Sequence, residues 1–213
     1  MLQRDYFLNG EGDNWFLRNK HLVGHADNYD IKFLARNLCN LKDKNFNFLE
    51  IGCSNGIKTS ELATLLGWKG FGIDPSTLAI DEARQIKRDD LSFFVGTAES
   101  LPFEDNVFDL VYFAFCLYLI DREQLEDVFI EAMRVLKQNS FLAILDFDFG
   151  VSKKNTYIHN RRLYSFKESY AARIESFGFV QVAKESYSST GKMEFANNPD
   201  ERIAINLYIH VPE

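Results

Sequence analysis

The chain has 213 residues, of which 46% are apolar and 26% charged, so it is long enough for one domain with a sizeable core. Its net charge of −7 argues against a surface built to bind nucleic acid. The three cysteines have no metal-ligand spacing, and their sparse, odd number favours a reducing compartment. The first residues lack a signal-peptide pattern, and the longest apolar run is too short for a bilayer. We therefore expect a cytoplasmic protein without a membrane span.

Predicted helices and strands alternate in the first half of the chain. An amphipathic helix is predicted from the spacing of the apolar residues in YDIKFLARNLCNL, residues 29–41. The elements predicted after it are a strand at 46–51, a helix ending at Gly67, a strand at 69–74, a helix over 76–88 and a strand at 91–96.

The second half continues this alternation and then changes. An almost continuous apolar strand is predicted at 107–115, followed by a helix that Asp121 and Gln124 begin as a capping box. A fifth strand follows at 141–147. Ser165 and Glu168 resemble a second capping box, whose helix we expect to end at Gly178. Two last strands, 179–185 and 202–210, have no good helix between them, which favours antiparallel pairing.

This order of elements predicts an α/β fold. We expect a Rossmann-like, seven-stranded, mostly parallel sheet with helices on both faces and an antiparallel C-terminal strand pair. Residues 1–29 precede the fold and are interpreted as a lid or cap segment, and residues 30–213 as the main domain. In such a sheet, ligands bind beyond the carboxyl ends of the strands.

A glycine-rich turn follows the first strand at this edge, in NFLEIGCSNGIKTSELA. It fails the dinucleotide pattern, because Ser54 and Ile57 replace two of the required glycines, and it lacks the Gly-Lys-Ser/Thr ending of a phosphate-binding loop. The carboxylate of Glu50 suits a cationic or amino-bearing ligand. Asp74, at the end of the second strand, is placed to accept hydrogen bonds from two ribose hydroxyls.

Four segments together resemble the class I S-adenosylmethionine-dependent methyltransferases, in particular their small-molecule methyltransferase-domain branch. The segments are LEIGCSNG, GFGIDPS, GTAESLPFEDNVFDLV and FLAILDF, in that order along the chain. The resemblance covers roughly residues 30–150 and implies S-adenosyl-L-methionine as the cofactor. It also implies the antiparallel last strand pair. Each feature also has a purely structural alternative. The glycines could form ordinary turns, Asp74 could cap a helix, and Phe113 and Phe115 could belong to the hydrophobic core.

The resemblance implies a set of cofactor-binding residues, from the glycine turn, the ends of strands two and four, and the segment after strand three. They are Glu50, Gly52, Cys53, Ser54, Asn55, Gly56, Asp74, Pro75, Ser76, Ala98, Glu99, Phe113 and Phe115. Three positions depart from the family. Ser54 replaces the middle glycine of the first motif. Thr97 stands where relatives often have Asp, and Tyr118 lies near a position where many carry His.

The catalytic and acceptor-binding residues are less defined by the sequence. Asp146 and Asp148 at the end of strand five, or His159, are candidate bases, with a strand terminus and helix cap as the alternative for the two acids. The segment at 153–167 is a basic island, whose alternative is a solvated loop. The candidates for holding the acceptor are Tyr6, Trp15, Arg18, Tyr157, Arg161 and Arg162, with Asn19, His21 and His25 as further lid residues.

The predicted function is methyl transfer to a small, anionic acceptor such as a sugar or nucleotide-sugar derivative. The basic island supports an anion, since arginines hold phosphates and carboxylates well. Three alternatives remain: an RNA or protein methyltransferase, a non-catalytic scaffold that retains the fold, and, last, a nicotinamide-dependent oxidoreductase.

Overall fold

The computed structural model describes residues 1–23, 28–42, 44–188 and 201–211. Its helices are α1 (Gln3–Tyr6), α2 (Gly12–Asn19), α3 (Tyr29–Asn37), α4 (Ile57–Leu66), α5 (Thr77–Ala83), α6 (Leu125–Val135) and α7 (Ala171–Glu175). A π-helical turn, Phe7–Glu11, joins α1 to α2. The strands are β1 (Asn47–Ile51), β2 (Lys69–Asp74), β3 (Leu91–Val95), β4 (Phe108–Ala114), β5 (Leu136–Phe147), β6 (Lys153–Thr156), β7 (Tyr164–Lys167), β8 (Phe179–Ser188) and β9 (Arg202–His210).

Seven of the strands form one sheet, in the order β3-β2-β1-β4-β5-β9-β8. The first five of these are parallel, and β9 pairs antiparallel with both β5 and β8. This confirms the predicted fold class and the antiparallel C-terminal pair. The strand order reverses between β1 and β4, which is the place where an α/β sheet opens a crevice for a ligand.

The helices cover both faces of the sheet because each has one apolar stripe. In α6, the buried positions are Leu125, Val128, Phe129, Ala132 and Val135, which recur at helical spacing. The start and end of α4 are set by Gly56 and Gly67, which both adopt the left-handed backbone conformation. Glycine adopts the left-handed conformation at low energetic cost because it has no Cβ, so it can lie at either end of the helix.

Both predicted capping boxes are wrong. The helix expected at Asp121 begins at Leu125, and the Asp121 carboxylate instead accepts the backbone N–H of Gln3 at 2.7 Å. Ser165 lies in β7, which forms a hairpin with β6, and Glu168 makes an ion pair with Arg122 at 2.6 Å. In each case a contact distant in sequence replaces the local cap. The helices predicted at 76–88 and up to Gly178 are also shorter, as α5 and α7.

The N-terminal segment packs across the carboxyl edge of the sheet. The side chain of Gln3 donates to the carbonyl of Leu119 at 2.6 Å and also bonds to the backbone N–H of Tyr164. These contacts join α1 to the loop after β4 and to the hairpin. Among the described helices, none has the length and apolar composition needed to cross a bilayer.

Candidate active site

A first cavity opens at the carboxyl ends of β1, β2 and β4 and beside the segment after β3. It comprises about 730 Å³ of space, part of it open to solvent. Its walls are mostly apolar with few polar groups. The lining residues include Arg4, Phe7, Gly12, Trp15, Gly52, Asp74, Pro75, Gly96, Thr97, Ala98, Glu99, Phe115, Cys116, Leu119 and Ile120.

The glycine turn after β1 brings bare backbone into this cavity. Gly52 has a φ of +82°, and a Cβ there would lie 3.0 Å from Cβ of Cys116 and 3.3 Å from the carbonyl oxygen of Ala114. Ser54 also has a positive φ, of 49°, which is strained for a residue with a side chain. Its Oγ is buried and has no hydrogen-bond partner. A strained turn with an unpartnered hydroxyl is typical of a surface that contacts a ligand.

Asp74 is held in place by the two turns that it joins. Its Oδ2 accepts the backbone N–H of Ser54 at 2.9 Å, and its Oδ1 accepts the N–H of Ser76 at 2.9 Å. Burial raises the pKa of Asp74 to about 6, although both backbone bonds lower it. Because a carboxylate has about four acceptor sites, Asp74 keeps acceptor capacity for a ligand.

Glu50 lies below the turn and is almost fully buried. Its Oε2 accepts the hydroxyl of Thr59 at 2.5 Å. Burial raises the pKa of Glu50 to about 8, and the Thr59 bond and the charge of Lys58 oppose this only in part. The carboxyl group is therefore mainly protonated at pH 7. A cation arriving nearby would favour its ionised form.

The N-terminal segment forms one wall of the first cavity. The Asp13 carboxylate accepts the hydroxyl of Ser76 at 2.7 Å and the backbone N–H of Leu78 at 3.0 Å. Gly12 lies directly against the backbone that follows Asp74: a Cβ on Gly12 would be 3.1 Å from both the carbonyl carbon of Pro75 and the nitrogen of Ser76. Only glycine allows this close approach, so α2 and the start of α5 are joined backbone to backbone.

Replacing Gly12 with valine should detach this wall. The added side chain meets backbone atoms, which cannot move aside, and we expect a cost of about 1 to 3 kcal/mol. The rate of trypsin cleavage after Arg18 should then rise roughly 5- to 150-fold, since cleavage follows the population of the open form. Gly150→Val is the matched control, because a Cβ there has nothing within 4 Å. Equal cleavage rates in both variants would show that the segment is not held at Gly12.

A second cavity lies on the other side of the glycine turn and comprises about 1070 Å³, again partly open to solvent. It shares Gly52, Ala114 and Phe115 with the first cavity. Its other lining residues come from the N-terminal segment, α3, β1, the glycine turn, α4, β5, β8 and β9. They include Leu22, Val23, Asn28, Tyr29, Asp30, Glu50, Ser54, Lys58, Leu145, Tyr187 and Ile203. The two cavities therefore meet at the end of β4.

Most of the residues predicted to bind the cofactor come together around these cavities. Those lining the first are Gly52, Asp74, Pro75, Ala98, Glu99 and Phe115, and those lining the second include Glu50, Cys53 and Ser54. Asn55 is buried and donates to Glu82 at 3.1 Å, while a Cβ on Gly56 would be 2.6 Å from the Phe93 ring. Phe113 is fully buried against Phe129 and lines neither cavity.

The three predicted bases line neither cavity. Asp146 is buried and accepts the backbone N–H groups of Phe147 at 2.8 Å and Tyr118 at 3.2 Å. Burial raises the pKa of Asp146 to about 7. Asp148 pairs with Lys184 at 3.0 Å. His159 is exposed on the turn between β6 and β7, with its ring 5.5 Å from that of Tyr157.

The predicted acceptor-binding residues divide into two groups. Trp15 lines the first cavity, and Tyr6 packs nearby in a small cluster with Phe7, Tyr157 and Leu163. Arg18 donates to Glu11 at 2.6 Å and to the Tyr157 hydroxyl at 2.9 Å, which ties α2 to the hairpin. The residues Arg161, Arg162 and His21 are exposed and line neither cavity, Asn19 donates to the Trp15 carbonyl, and His25 lies outside the described residues.

Two parts of the site carry no sequence motif. One is the contact of Gly12 and Asp13 with the start of α5. The other is a buried polar cluster in which Asp30 accepts Lys58 Nζ at 2.8 Å and also the hydroxyl of Tyr112. Along the chain, Lys58 is 28 residues from Asp30, and Tyr112 is 82 residues from Asp30. The one available signal was Asp30 in the first turn of a predicted amphipathic helix, which is an ordinary helix-stabilising position.

Comparisons with known proteins agree with this geometry. Residues 49–144 match the family described as a methyltransferase domain. The chain is 40% identical over 78 residues to a ubiquinone/menaquinone biosynthesis C-methyltransferase of Agrobacterium fabrum, covering 35% of this chain and 29% of that protein. It is 33% identical over 98 residues to an uncharacterized methyltransferase of Synechocystis, covering 46% and 45%. These matches span less than half the length of either relative.

Solved structures share the fold at low sequence identity. A Burkholderia thailandensis 1,6-didemethyltoxoflavin-N1-methyltransferase, solved with 1,6-didemethyltoxoflavin and S-adenosylhomocysteine, has a TM-score of 0.73 at 12% identity, covering 98% of this chain and 87% of that one. A putative methyltransferase of Haloferax volcanii in complex with the Trm112 activator has a TM-score of 0.68 at 19% identity, covering 94% and 96%. The family match includes the glycine turn and Asp74, so residues 49–144 are similar to a methyltransferase domain, and the solved structures share the fold.

Proposed function

We propose that the protein transfers a methyl group from S-adenosylmethionine to a small-molecule acceptor. One observation carries the proposal. The glycine turn, the ribose-type carboxylate Asp74 and the segment 96–99 all line one cavity at the carboxyl edge of the sheet. Each of these has a plain structural alternative alone, but their meeting in one cavity favours a shared ligand.

The residues present fit this cofactor. Ser54 Oγ is a buried polar atom without a hydrogen-bond partner, and Ser54 lines the second cavity, where a ligand with amino and carboxylate groups would supply one. Asp74 would hold the ribose hydroxyls, and Glu50 would face the positive amino group. A Cβ on Gly52 would lie 3.0 Å from Cβ of Cys116, so a glycine there lets the turn pack closely against the residues that end β4.

The methyl group is supplied on a positively charged sulfur, which keeps the electron pair of the broken C–S bond. The protein's part is to align the reactants and to exclude water. Phe115 is placed for this, because it lies where the two cavities meet and aromatic faces attract cations. The N-terminal segment covers one side of the first cavity, which Gly12 and Trp15 line.

Carbon is the proposed site of methylation. Two of the curated relatives are named as C-methyltransferases, one of Agrobacterium fabrum and one of Azotobacter vinelandii. In such a step the acceptor carbon forms a bond to the methyl group and then loses a proton to a base or to water. An electron-rich carbon needs no metal for this reaction.

An anionic acceptor, such as a sugar or nucleotide-sugar derivative, is the second candidate. The observation that favours it is the link between the basic hairpin and the cavity wall, made by the bond of Arg18 to Tyr157. Arg161 and Arg162 are exposed on the same hairpin and have the chemistry to hold a phosphate.

The test of the proposed function uses S-adenosylmethionine with a labelled methyl group, incubated with the protein and cell extract. Extract components are then separated into small molecules, glycans, RNA and protein. We expect label in the small-molecule fraction, at a position that nuclear magnetic resonance assigns to a C-methyl group. The control variant is Asp74→Ala, which should transfer little or no label.

Other outcomes are equally informative. Label in RNA or protein would replace the small-molecule acceptor with a macromolecular one. Failure to bind S-adenosylhomocysteine in calorimetry would support the alternative of a non-catalytic scaffold.

A further inference from the structure

We propose that Lys58 binds the carboxylate of the cofactor in the second cavity and that Asp30 holds the Lys58 amine in position for it. The inference rests on the proposed function and deepens it, because it gives the methionine end of the cofactor two side chains outside the glycine turn. Asp30 lies in the first turn of α3 and Lys58 in the first turn of α4. Neither is among the residues predicted from the sequence to bind the cofactor.

The two cavities together suit the two ends of one cofactor molecule. Asp74, which would hold the ribose, lines the first cavity, so the nucleoside lies there. Gly52, Ala114 and Phe115 line both cavities. A chain that leaves the ribose and passes Gly52 therefore enters the second cavity, and the amino and carboxylate groups of the cofactor lie in it.

The charged side chains of the second cavity match such a pair of groups. Among its described lining residues, Lys58 is the one cation, and the two carboxyl groups belong to Asp30 and Glu50. An amino acid brings one ammonium and one carboxylate, and each needs a partner of opposite charge when it leaves water. Glu50 lies below the glycine turn and faces the ammonium in the proposed function, which leaves Lys58 for the carboxylate.

Lys58 is held at the cavity and keeps donors for a ligand. Its Nζ lies 2.8 Å from Oδ2 of Asp30, and its side chain is 25% exposed. A lysine ammonium has three donors. Among the described residues, Asp30 is the one hydrogen-bond partner of this ammonium, so its other donors can bind a carboxylate that enters the cavity.

Asp30 is fixed from two sides, which makes it a positioning residue. Its side chain is 3% exposed, and the hydroxyl of Tyr112 in β4 donates to the same Oδ2 that binds Lys58. Burial raises the pKa of Tyr112 well above its usual value, so the hydroxyl keeps the proton that it donates. A buried carboxylate bonded by both β4 and α4 cannot turn out to solvent, and Lys58 is therefore kept beside the cavity.

A second group next to Lys58 is suited to the same carboxylate. Ser54 lines the second cavity, and its buried Oγ has no hydrogen-bond partner. A buried hydroxyl without a partner is costly, so a ligand that brings an acceptor is favoured. A carboxylate has about four acceptor sites, which is enough for the Lys58 ammonium and the Ser54 hydroxyl together.

Two ligands that differ in one group test the role of Lys58. They are S-adenosylhomocysteine and its decarboxylated analogue, which keeps the amine and lacks only the carboxylate. Calorimetry at pH 7 measures the affinity of both. We expect Lys58→Met to weaken the binding of S-adenosylhomocysteine at least about 10-fold, because a charge-assisted contact is lost. The affinity for the analogue should stay within about 2-fold, since this ligand has no group for Lys58.

Further variants test the positioning by Asp30. Asp30→Asn keeps an acceptor for Tyr112 and gives up the ion pair, and should weaken S-adenosylhomocysteine alone by about 3- to 10-fold. The double variant Lys58→Met with Asp30→Asn should bind it no more weakly than Lys58→Met, because Asp30 acts through Lys58. Lys58→Arg keeps the charge and should recover most of the affinity. Lys69→Met, exposed at the start of β2, is the matched control.

The outcomes separate this inference from the proposed function. If wild-type protein binds neither ligand, the proposed function fails. If it binds both equally, or if Lys58→Met weakens both equally, Lys58 does not bind the carboxylate, while the proposed function stands. Should Lys58→Met not fold, the double variant, which leaves no unpaired charge, provides the same comparison. Loss of the preference for S-adenosylhomocysteine in Arg4→Ala would move the carboxylate to the first cavity, where Arg4 is the one cation among the described lining residues.

Discussion

Replacing Asp74 with alanine should weaken the binding of S-adenosylhomocysteine by about 1 to 3 kcal/mol, or roughly 5- to 150-fold. The first cause is the loss of a charged acceptor in the first cavity. The second is the loss of the bonds to the N–H groups of Ser54 and Ser76, which hold the two turns in position. Calorimetry at pH 7 measures the effect directly.

Two further variants separate these causes. Asp74→Asn keeps the size of the side chain but removes the charge and turns an amide N–H₂ toward one of the two donors. We therefore expect it to lose most of the affinity as well. Asp127→Ala, on the exposed face of α6, is the control for a lost carboxylate. Unchanged affinity in both Asp74 variants would mean that Asp74 only caps a turn.

The stability of the ligand-free protein should fall as the pH rises from about 5 to 8, and Glu50→Gln should remove much of this fall. Burial raises the pKa of Glu50 from 4.5 to about 8. The folded protein therefore holds a proton that the unfolded chain releases. This contribution is complete below the unfolded pKa and is lost as the pH rises through the folded pKa.

For Glu50 alone, the loss above pH 8 is on the order of 5 kcal/mol at most. Asp74 and Asp146, whose pKa values are raised to about 6 and about 7, act in the same direction. Glutamine stays neutral and keeps an acceptor for Thr59, so Glu50→Gln should be more stable than wild type at pH 8. Urea denaturation at several pH values measures this, with exposed Glu104→Gln as the control. A variant with the wild-type pH slope would contradict the burial of an uncharged Glu50.

The fold was predictable because its signals are local. Alternating apolar strands and amphipathic helices, with Gly67 at a helix end, identify the elements and their order. The errors came at Asp121, Ser165 and Glu168, where side chains that resemble local caps have different roles. Asp121 and Glu168 instead bind Gln3 and Arg122, over 100 and 46 residues away respectively. A capping pattern alone does not tell which partner is nearer in space.

The candidate site was predictable where it depends on strand ends. Gly52 follows β1, Asp74 ends β2 and Glu99 comes after β3, and the carboxyl ends of these parallel strands meet at one edge. Phe113 and Phe115 were not distinguishable by pattern, since both end the same apolar strand. The positive φ of Phe115 turns its ring into the cavities, whereas Phe113 packs into the core against Phe129.

The sequence by itself determined the order of the helices and strands, the α/β fold class and the edge of the sheet where the predicted cofactor residues gather, because those depend on periodicity and on spacing along the chain. Only the tertiary structure decided which polar groups share a cavity. The approach of Gly12 to Pro75 and the cluster of Asp30, Lys58 and Tyr112 join residues from separate elements. Their distances are set by how helices pack on the sheet, and that packing carries no signature in any single stretch of sequence.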